Sequence, residues 1–125
     1  MFGTPRISGE GSEPLQISPR ELAAALEEGE KLALLDARTL EEYDAGNLPG
    51  SQLVGVELTF DILDTWPEDA FLVFYSNDGC RSLQTASYFR SYGFLRARSL
   101  CGGLATWDTE AGHDALPRPA AELWM

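Results

Sequence analysis

The residues best suited to chemistry form one short segment, Ser76-Asn77-Asp78-Gly79-Cys80-Arg81-Ser82. It follows an unbroken apolar run, Ala70 to Tyr75, and precedes a stretch with helical spacing. A buried strand, a loop and a helix form an anion-binding unit, because successive backbone N–H groups point inward and the helix N-terminus adds partial positive charge. Gly79 permits the backbone conformation that such a loop needs. We therefore expect a small anion to be bound by Ser76, Asn77, Asp78, Gly79 and Ser82, with charge supplied by Arg81.

The thiol of this loop, Cys80, has two open interpretations. Arg81 and the start of a helix both lower the pKa of a thiol, and the thiolate is the nucleophile. Cys80 is thus either a catalytic, sulfur-carrying nucleophile assisted by Arg81, or an inert cysteine that points away from the loop. Cys101, at the end of the next strand along the chain, is either a resolving thiol for Cys80 or a small buried filler.

Other polar and aromatic residues allow a functional and a structural interpretation. Arg38 is a candidate substrate ligand, but with Asp36 it also fits a structural ion pair at a strand end. Trp107 is expected in the core. The acidic pairs Glu27-Glu28 and Glu41-Glu42 are interpreted as solvated helix faces. Cys80, Cys101 and His113 lack the spacing of zinc ligands, so we predict no metal and no cofactor, with His113 in an exposed tail.

Strands and helices alternate along the chain. Ser18, Pro19 and Glu21 form a helix start with a capping box, and Gly29 ends that helix. A strand over 32–35 leads to Asp36, and Thr39 with Glu42 repeats the capping-box spacing at a short helix that Gly46 ends. Further strands are predicted over 51–56, 71–75 and 95–100, and further helices over 81–92 and 104–110. This alternation predicts a mainly parallel sheet.

Composition limits the class of protein. The 125 residues fit one domain, with a flexible arm over 1–15, the folded domain over 16–112 and a tail over 113–125. The net charge of −11 disfavours nucleic acid and anionic membranes as partners. No apolar run is long enough to span a bilayer and no signal-peptide pattern opens the chain. Two cysteines do not make a disulfide framework, so we expect a reducing, cytoplasmic location.

Five ordered motifs resemble the rhodanese homology domain. They are Leu34-Leu35-Asp36-Ala37-Arg38, the segment from Glu42 to Ser51, Gly79-x-Arg81-Ser82, Gly93-Phe94 and Gly102-Gly103-x-x-x-Trp107. The resemblance covers roughly residues 16–112. It implies an α/β fold of the rhodanese-like three-layer type, with a mainly parallel central sheet and helices on both faces.

The resemblance also implies an activity, and two departures bear on it. The family moves sulfane sulfur from a donor such as thiosulfate to a thiophilic acceptor through a persulfide on the first residue of the loop. That residue is Ser76 here, and Asn47 replaces the histidine of the second motif. A serine hydroxyl is largely protonated at neutral pH and lacks comparable chemistry. Tyrosine phosphatases of this fold use Cys-x5-Arg, a pattern that the loop also lacks.

Three functions remain in view. The chain is a sulfurtransferase or persulfide carrier working through Cys80, a catalytically inactive binding or regulatory module, or a redox sensor using Cys80 and Cys101. The expected partners are a small sulfur-containing anion or persulfide donor and a protein thiol acceptor.

Overall fold

A computed structural model describes residues 13–110, except the side chains of 108–110. Most of the predicted N-terminal arm, the predicted tail and His113 lie outside these residues. The described elements are β1 (Gln16–Ile17), α1 (Pro19–Glu27), β2 (Ala33–Asp36), α2 (Leu40–Ala45), β3 (Gln52–Leu53), α3 (Val56–Thr65), β4 (Leu72–Tyr75), α4 (Cys80–Arg90), β5 (Ala97–Leu100) and α5 (Gly103–Glu110).

The five strands form one sheet in the order β1-β5-β4-β2-β3, and every pairing is parallel. β2, β4 and β5 are buried throughout, which explains why β4 is continuously apolar rather than alternating. The charged residues of the other two strands, Asp36 of β2 and Arg98 of β5, are buried with partners. Since the strands are parallel, the carboxyl ends of β2, β4 and β5 lie at one edge of the sheet. The candidate site lies at this edge, where open parallel sheets commonly bind ligands.

Helices cover both faces of the sheet. Leu22 and Leu26 of α1 pack with Trp107 of α5 on one face, whereas Ile62 of α3 and Phe89 of α4 pack on the other. Strand residues alternate between the two clusters, with Val73 and Tyr75 in the first and Leu72 and Phe74 in the second. The predicted three-layer α/β architecture is therefore confirmed, and Trp107 is a core residue, 1% exposed.

Short sequence motifs predicted where most of the helices and strands begin and end. Both predicted capping boxes are present, at Ser18 with Glu21 and at Thr39 with Glu42. The strand predicted over 51–56 was too long: β3 contains only Gln52–Leu53, and Val56 instead begins α3. The sequence interpretation missed α3 and the two-residue strand β1. Within residues 13–110, none of the helices is long and apolar enough to cross a membrane.

Candidate functional site

The loop between β4 and α4 is shaped by glycines. Gly79 has φ of 93°, in the left-handed region, and a β-carbon there would lie 3.1 Å from the Gly102 amide nitrogen. A β-carbon at Gly103 would collide with the carbonyl oxygen of Ser76. Beyond Gly103, the amides of Leu104 and Ala105 donate to the carbonyls of Ser76 and Asn77 at 2.9 and 3.0 Å. The start of α5 is thus hydrogen-bonded to the start of the loop.

The hydroxyl of Ser76 lies at the centre of the loop and is completely buried. Its Oγ accepts the amides of Gly79 at 3.1 Å and Ser82 at 3.2 Å. It also donates to the hydroxyl of Ser82 at 3.2 Å, and the Ser82 hydroxyl lies 2.7 Å from that of Ser99. We expected the amides of Gly79 and Ser82 to help bind an anion. In the structure they donate to the oxygen of Ser76 instead.

Cys80 lies outside this buried centre. It is the first residue of α4 and its side chain is exposed. Its amide donates to Oδ1 of Asp78 at 3.0 Å, and this bond lowers the pKa of Asp78. A reagent in solution can therefore reach the thiol, but it meets a carboxylate beside it.

Arg81 bonds to a carboxylate across the site. Its Nη2 lies 3.0 and 3.2 Å from the two carboxylate oxygens of Glu42. Glu42 Oε2 also accepts Nδ2 of Asn77 at 2.9 Å, and Oε1 accepts the amide of Thr39 at 3.0 Å. The bonds from Thr39, led by the one from its amide, and from Arg81 lower the pKa of Glu42 to about 2.

The interpretation of Glu42 as a solvated helix face missed its place in the site. Glu42 is part of the capping box of α2 and also contacts two residues of the loop, Asn77 and Arg81. The capping-box spacing was a signal that Glu42 is held in place, but nothing local in the sequence indicates its contacts with the loop.

Arg38 is held mainly by Asp36. Its Nε lies 2.9 Å from Oδ1 and its Nη2 lies 2.7 Å from Oδ2, and both side chains are almost fully buried. The bond to Asp36 raises the pKa of Arg38. Nη2 also donates to the Gly46 carbonyl at 2.7 Å, and Nη1 donates to Oδ1 of Asn77 at 3.3 Å. Arg38 thus joins α2 to the loop while it forms the structural ion pair.

The remaining candidates weighed in the sequence analysis are Asn47, Cys101 and a metal site. Asn47, where the family has a histidine, donates from Nδ2 to the Tyr43 carbonyl at 2.9 Å. Cys101 is exposed, so its interpretation as a buried filler was wrong: β5 ends at Leu100, and the side chain that follows lies at the surface. Among the described residues, no three His, Cys, Asp or Glu side chains are grouped to hold a metal ion.

Comparison with known proteins identifies the family of this chain. The rhodanese-like domain family model matches residues 18–110, and the chain belongs to that family. The chain is 37% identical over 100 residues to the probable adenylyltransferase/sulfurtransferase MoeZ of Mycobacterium tuberculosis, a match that covers 78% of this chain but only 26% of MoeZ. It is 31% identical over 105 residues to human thiosulfate:glutathione sulfurtransferase, covering 73% of this chain and 90% of the relative.

The fold has a similar match among solved structures. The human single-domain sulfurtransferase TSTD1 superposes with a TM-score of 0.68 at 29% identity, covering 78% of this chain and 98% of that one. A whole relative of similar size therefore has the architecture described above.

Proposed function

We propose that this chain is a rhodanese-like sulfurtransferase that carries sulfane sulfur on Cys80. The observation that carries the proposal is the exposure of Cys80 at the first position of α4, in the loop where the family binds sulfur. Relatives named as sulfurtransferases, one of which is covered over 90% of its length, support the class of reaction. Ser76 does not carry the sulfur, because its hydroxyl is buried and is a poor nucleophile.

The chemistry follows from the exposed thiol. The Cys80 thiolate attacks the outer sulfur of a donor, a new S–S bond forms at Sγ, and the donor leaves with the electron pair as sulfite or a thiolate. An acceptor thiolate then attacks the outer sulfur of the Cys80 persulfide and releases the Cys80 thiolate. No net electrons enter or leave over the two transfers, so no redox cofactor is needed.

The charges around Cys80 favour one type of donor. Asp78 accepts the Cys80 amide at 3.0 Å, and the chain carries a net charge of −11. A dianion such as thiosulfate is repelled by both. We therefore expect a persulfide of lower charge, on a small molecule or a protein, to load Cys80 faster than thiosulfate does.

The test is direct detection of the persulfide. The protein is incubated with thiosulfate or with cysteine persulfide, which carries one net negative charge, then trapped with iodoacetamide and digested with trypsin. Cleavage after Arg38 and Arg81 releases Cys80 on its own peptide, residues 39–81. We expect this peptide to gain one sulfur atom, more rapidly with cysteine persulfide. Cyanide added before the iodoacetamide should remove that sulfur as thiocyanate, so that the peptide no longer carries it.

Cys80→Ser provides the matched comparison. The variant should have an unchanged circular dichroism spectrum, since the side chain is exposed, and its peptide 39–81 should gain no sulfur atom. If the wild-type protein acquires no persulfide at Cys80 from either donor, the proposal fails.

A binding module without turnover is the second candidate, and the hydrogen bonds of Ser76 favour it. The Ser76 hydroxyl accepts the Gly79 and Ser82 amides where the family places a thiolate. If this candidate is correct, calorimetry should detect thiosulfate binding that persists in Cys80→Ser, while wild-type Cys80 forms no persulfide.

A further inference from the structure

The backbone next to Cys80 packs against the backbone on both sides of Cys101. A β-carbon at Gly79 would lie 3.1 Å from the amide nitrogen of Gly102 and 3.3 Å from the carbonyl oxygen of Leu100. Cys80 directly follows Gly79, and Cys101 lies between the two residues that Gly79 contacts. The contact arises because β4 and β5 are adjacent parallel strands that end at the same edge of the sheet.

These contacts bound the separation of the two cysteines. With standard bond lengths and 3.8 Å between consecutive Cα atoms, the Cα atoms of Cys80 and Cys101 are at most about 11 Å apart. A direct disulfide requires a Cα separation of about 4.4–6.8 Å. Passing a sulfur atom between two thiols reaches further, because two S–S bonds of about 2 Å lie between the Sγ atoms during transfer.

Both thiols are free to make this approach. Cys80 and Cys101 are both exposed, so their side chains can rotate without displacing core residues. Gly102 and Gly103, which follow Cys101, have φ values of 77° and 61°. The Cys101 backbone is nevertheless fixed at this edge, because its amide donates to the Ile17 carbonyl at 2.9 Å and its carbonyl accepts the Thr106 hydroxyl at 3.0 Å.

From this placement we propose that Cys101 is an intramolecular acceptor for the sulfane sulfur carried by Cys80, so that the two residues form a sulfur relay. The proposal rests on the persulfide at Cys80 proposed above. The Cys101 thiolate attacks the outer sulfur of that persulfide, an S–S bond forms at Cys101 Sγ, and the bond to Cys80 Sγ breaks. Cys80 leaves as the thiolate with the electron pair, and the proton of the Cys101 thiol goes to solvent. The transfer involves no net oxidation.

The relay is tested by following one sulfur atom through the full chain. Trypsin separates the two thiols, because Cys80 lies on peptide 39–81 and Cys101 lies on the peptide that begins at Ser99. The protein is loaded with less than one equivalent of inorganic polysulfide and trapped with iodoacetamide at successive times. We expect the added sulfur to appear first on the Cys80 peptide and later on the Cys101 peptide, as the first signal declines.

Two single-cysteine variants distinguish the possible outcomes. In Cys101→Ser the sulfur should remain on Cys80, and in Cys80→Ser the loading of Cys101 should be at least ten-fold slower than in the wild type. A tenfold dilution of the wild-type protein should leave the rate of transfer unchanged, because the step is intramolecular.

The relay is overturned if Cys101 loads equally fast in Cys80→Ser, or if the transfer rate falls with dilution. If Cys80 acquires the sulfur and Cys101 never does, the relay fails while the proposed function stands. If neither thiol acquires sulfur, both proposals fail together.

Discussion

Glu42 Oε1 lies 3.0 Å from Nη2 of Arg81, so a carboxylate of α2 holds the guanidinium at the first turn of α4. The same carboxylate accepts Asn77 at 2.9 Å. Both partners belong to the loop, and both side chains of the ion pair are partly exposed. The positive charge next to Cys80 is thus balanced by Glu42, which weakens its attraction for an anionic donor.

Replacing Glu42 tests this balance. Glu42→Gln removes the negative charge, yet glutamine still serves in a capping box. We expect Arg81 to attract anions to Cys80 more strongly in this variant. The ratio of the alkylation rate with anionic iodoacetate to that with neutral iodoacetamide should therefore rise by roughly two- to five-fold at Cys80. The measurement is the ratio of the two alkylation rates in wild type and variant.

Glu42→Ala provides the control for this prediction. It removes the charge and the capping box together, so it should raise the same ratio but also lower Tm further than Glu42→Gln does. An iodoacetate-to-iodoacetamide ratio that is unchanged in Glu42→Gln would show that the Glu42–Arg81 pair does not influence Cys80.

The lowered pKa of Glu42 predicts that part of the free energy of unfolding is lost in acid. Its pKa in the folded chain is about 2, below its ordinary value of 4.5, because the Thr39 amide and Arg81 bond to the charged form. A lowered folded-state pKa gives a contribution that is present above pH 4.5 and is lost as the pH falls from about 4.5 towards 2. Urea midpoints measured across this window should therefore decrease less steeply in Glu42→Gln than in the wild type.

Other groups keep part of the acid sensitivity in that variant. The pKa of Glu21 is lowered by the Ser18 amide, and the pKa of Asp78 is lowered by the Cys80 amide. If the urea midpoints of Glu42→Gln and wild type fell equally steeply between pH 4.5 and 2, the assignment of this acid sensitivity to Glu42 would be contradicted.

Signals that act within a few residues were sufficient for much of the fold. Both capping boxes join residues three positions apart, and the strand before the loop is a continuous apolar run. α3 lacked such a signal, because Gly55 provides no side-chain cap and two of its large apolar residues, Val56 and Phe60, are exposed. β1 has only two residues and depends on pairing with β5, about 80 positions away.

The site was predictable in outline but not in its contacts. The sequence placed the loop directly after β4 and named Arg38, Asn77 and Arg81 among the candidate residues. It did not indicate that Glu42 reaches Arg81, because the two are 39 positions apart and either is equally compatible with solvent. It also did not indicate that the Ser76 hydroxyl takes the loop amides, which depends on the left-handed backbone at Gly79.

Gly103 is expected to be essential for the contact between α5 and the loop. A β-carbon there would collide with the Ser76 carbonyl and lie 2.8 Å from the carbonyl carbon of Asn77, and its φ is 61°. Gly103→Ala should destabilise the protein by about 3 kcal/mol or more, combining backbone strain with overpacking. The measurement is the free energy of unfolding from urea titration.

Gly29→Ala is the matched control for Gly103→Ala. Gly29 has a similar φ of 77°, but a β-carbon there would meet nothing within 4 Å. Its cost should be limited to the left-handed conformation, about 1–2 kcal/mol. Equal losses in the two variants would mean that the Ser76 carbonyl moves aside freely, and that α5 does not constrain the loop.

Ser76→Cys is expected to create the usual activity of the family at the loop centre. The Gly79 and Ser82 amides, now 3.1 and 3.2 Å from the Ser76 oxygen, would donate to the new sulfur and stabilise its thiolate. Because the position is completely buried, the larger sulfur must push these amides outward. We therefore expect a loss of about 1–2 kcal/mol in stability. The variant should show thiosulfate:cyanide sulfurtransferase activity above that of the wild type.

The double variant Ser76→Cys with Cys80→Ser separates the two thiols. It should retain the gained activity, since the new thiolate is held by the loop amides and does not depend on Cys80. Ser76→Ala in the Cys80→Ser background leaves the loop without a thiol and should be inactive. If Ser76→Cys folds, as judged by circular dichroism, and transfers sulfur no faster than the wild type, then the buried loop centre is closed to donors. The exposed Cys80 would then be the loop thiol that remains accessible to a sulfur donor.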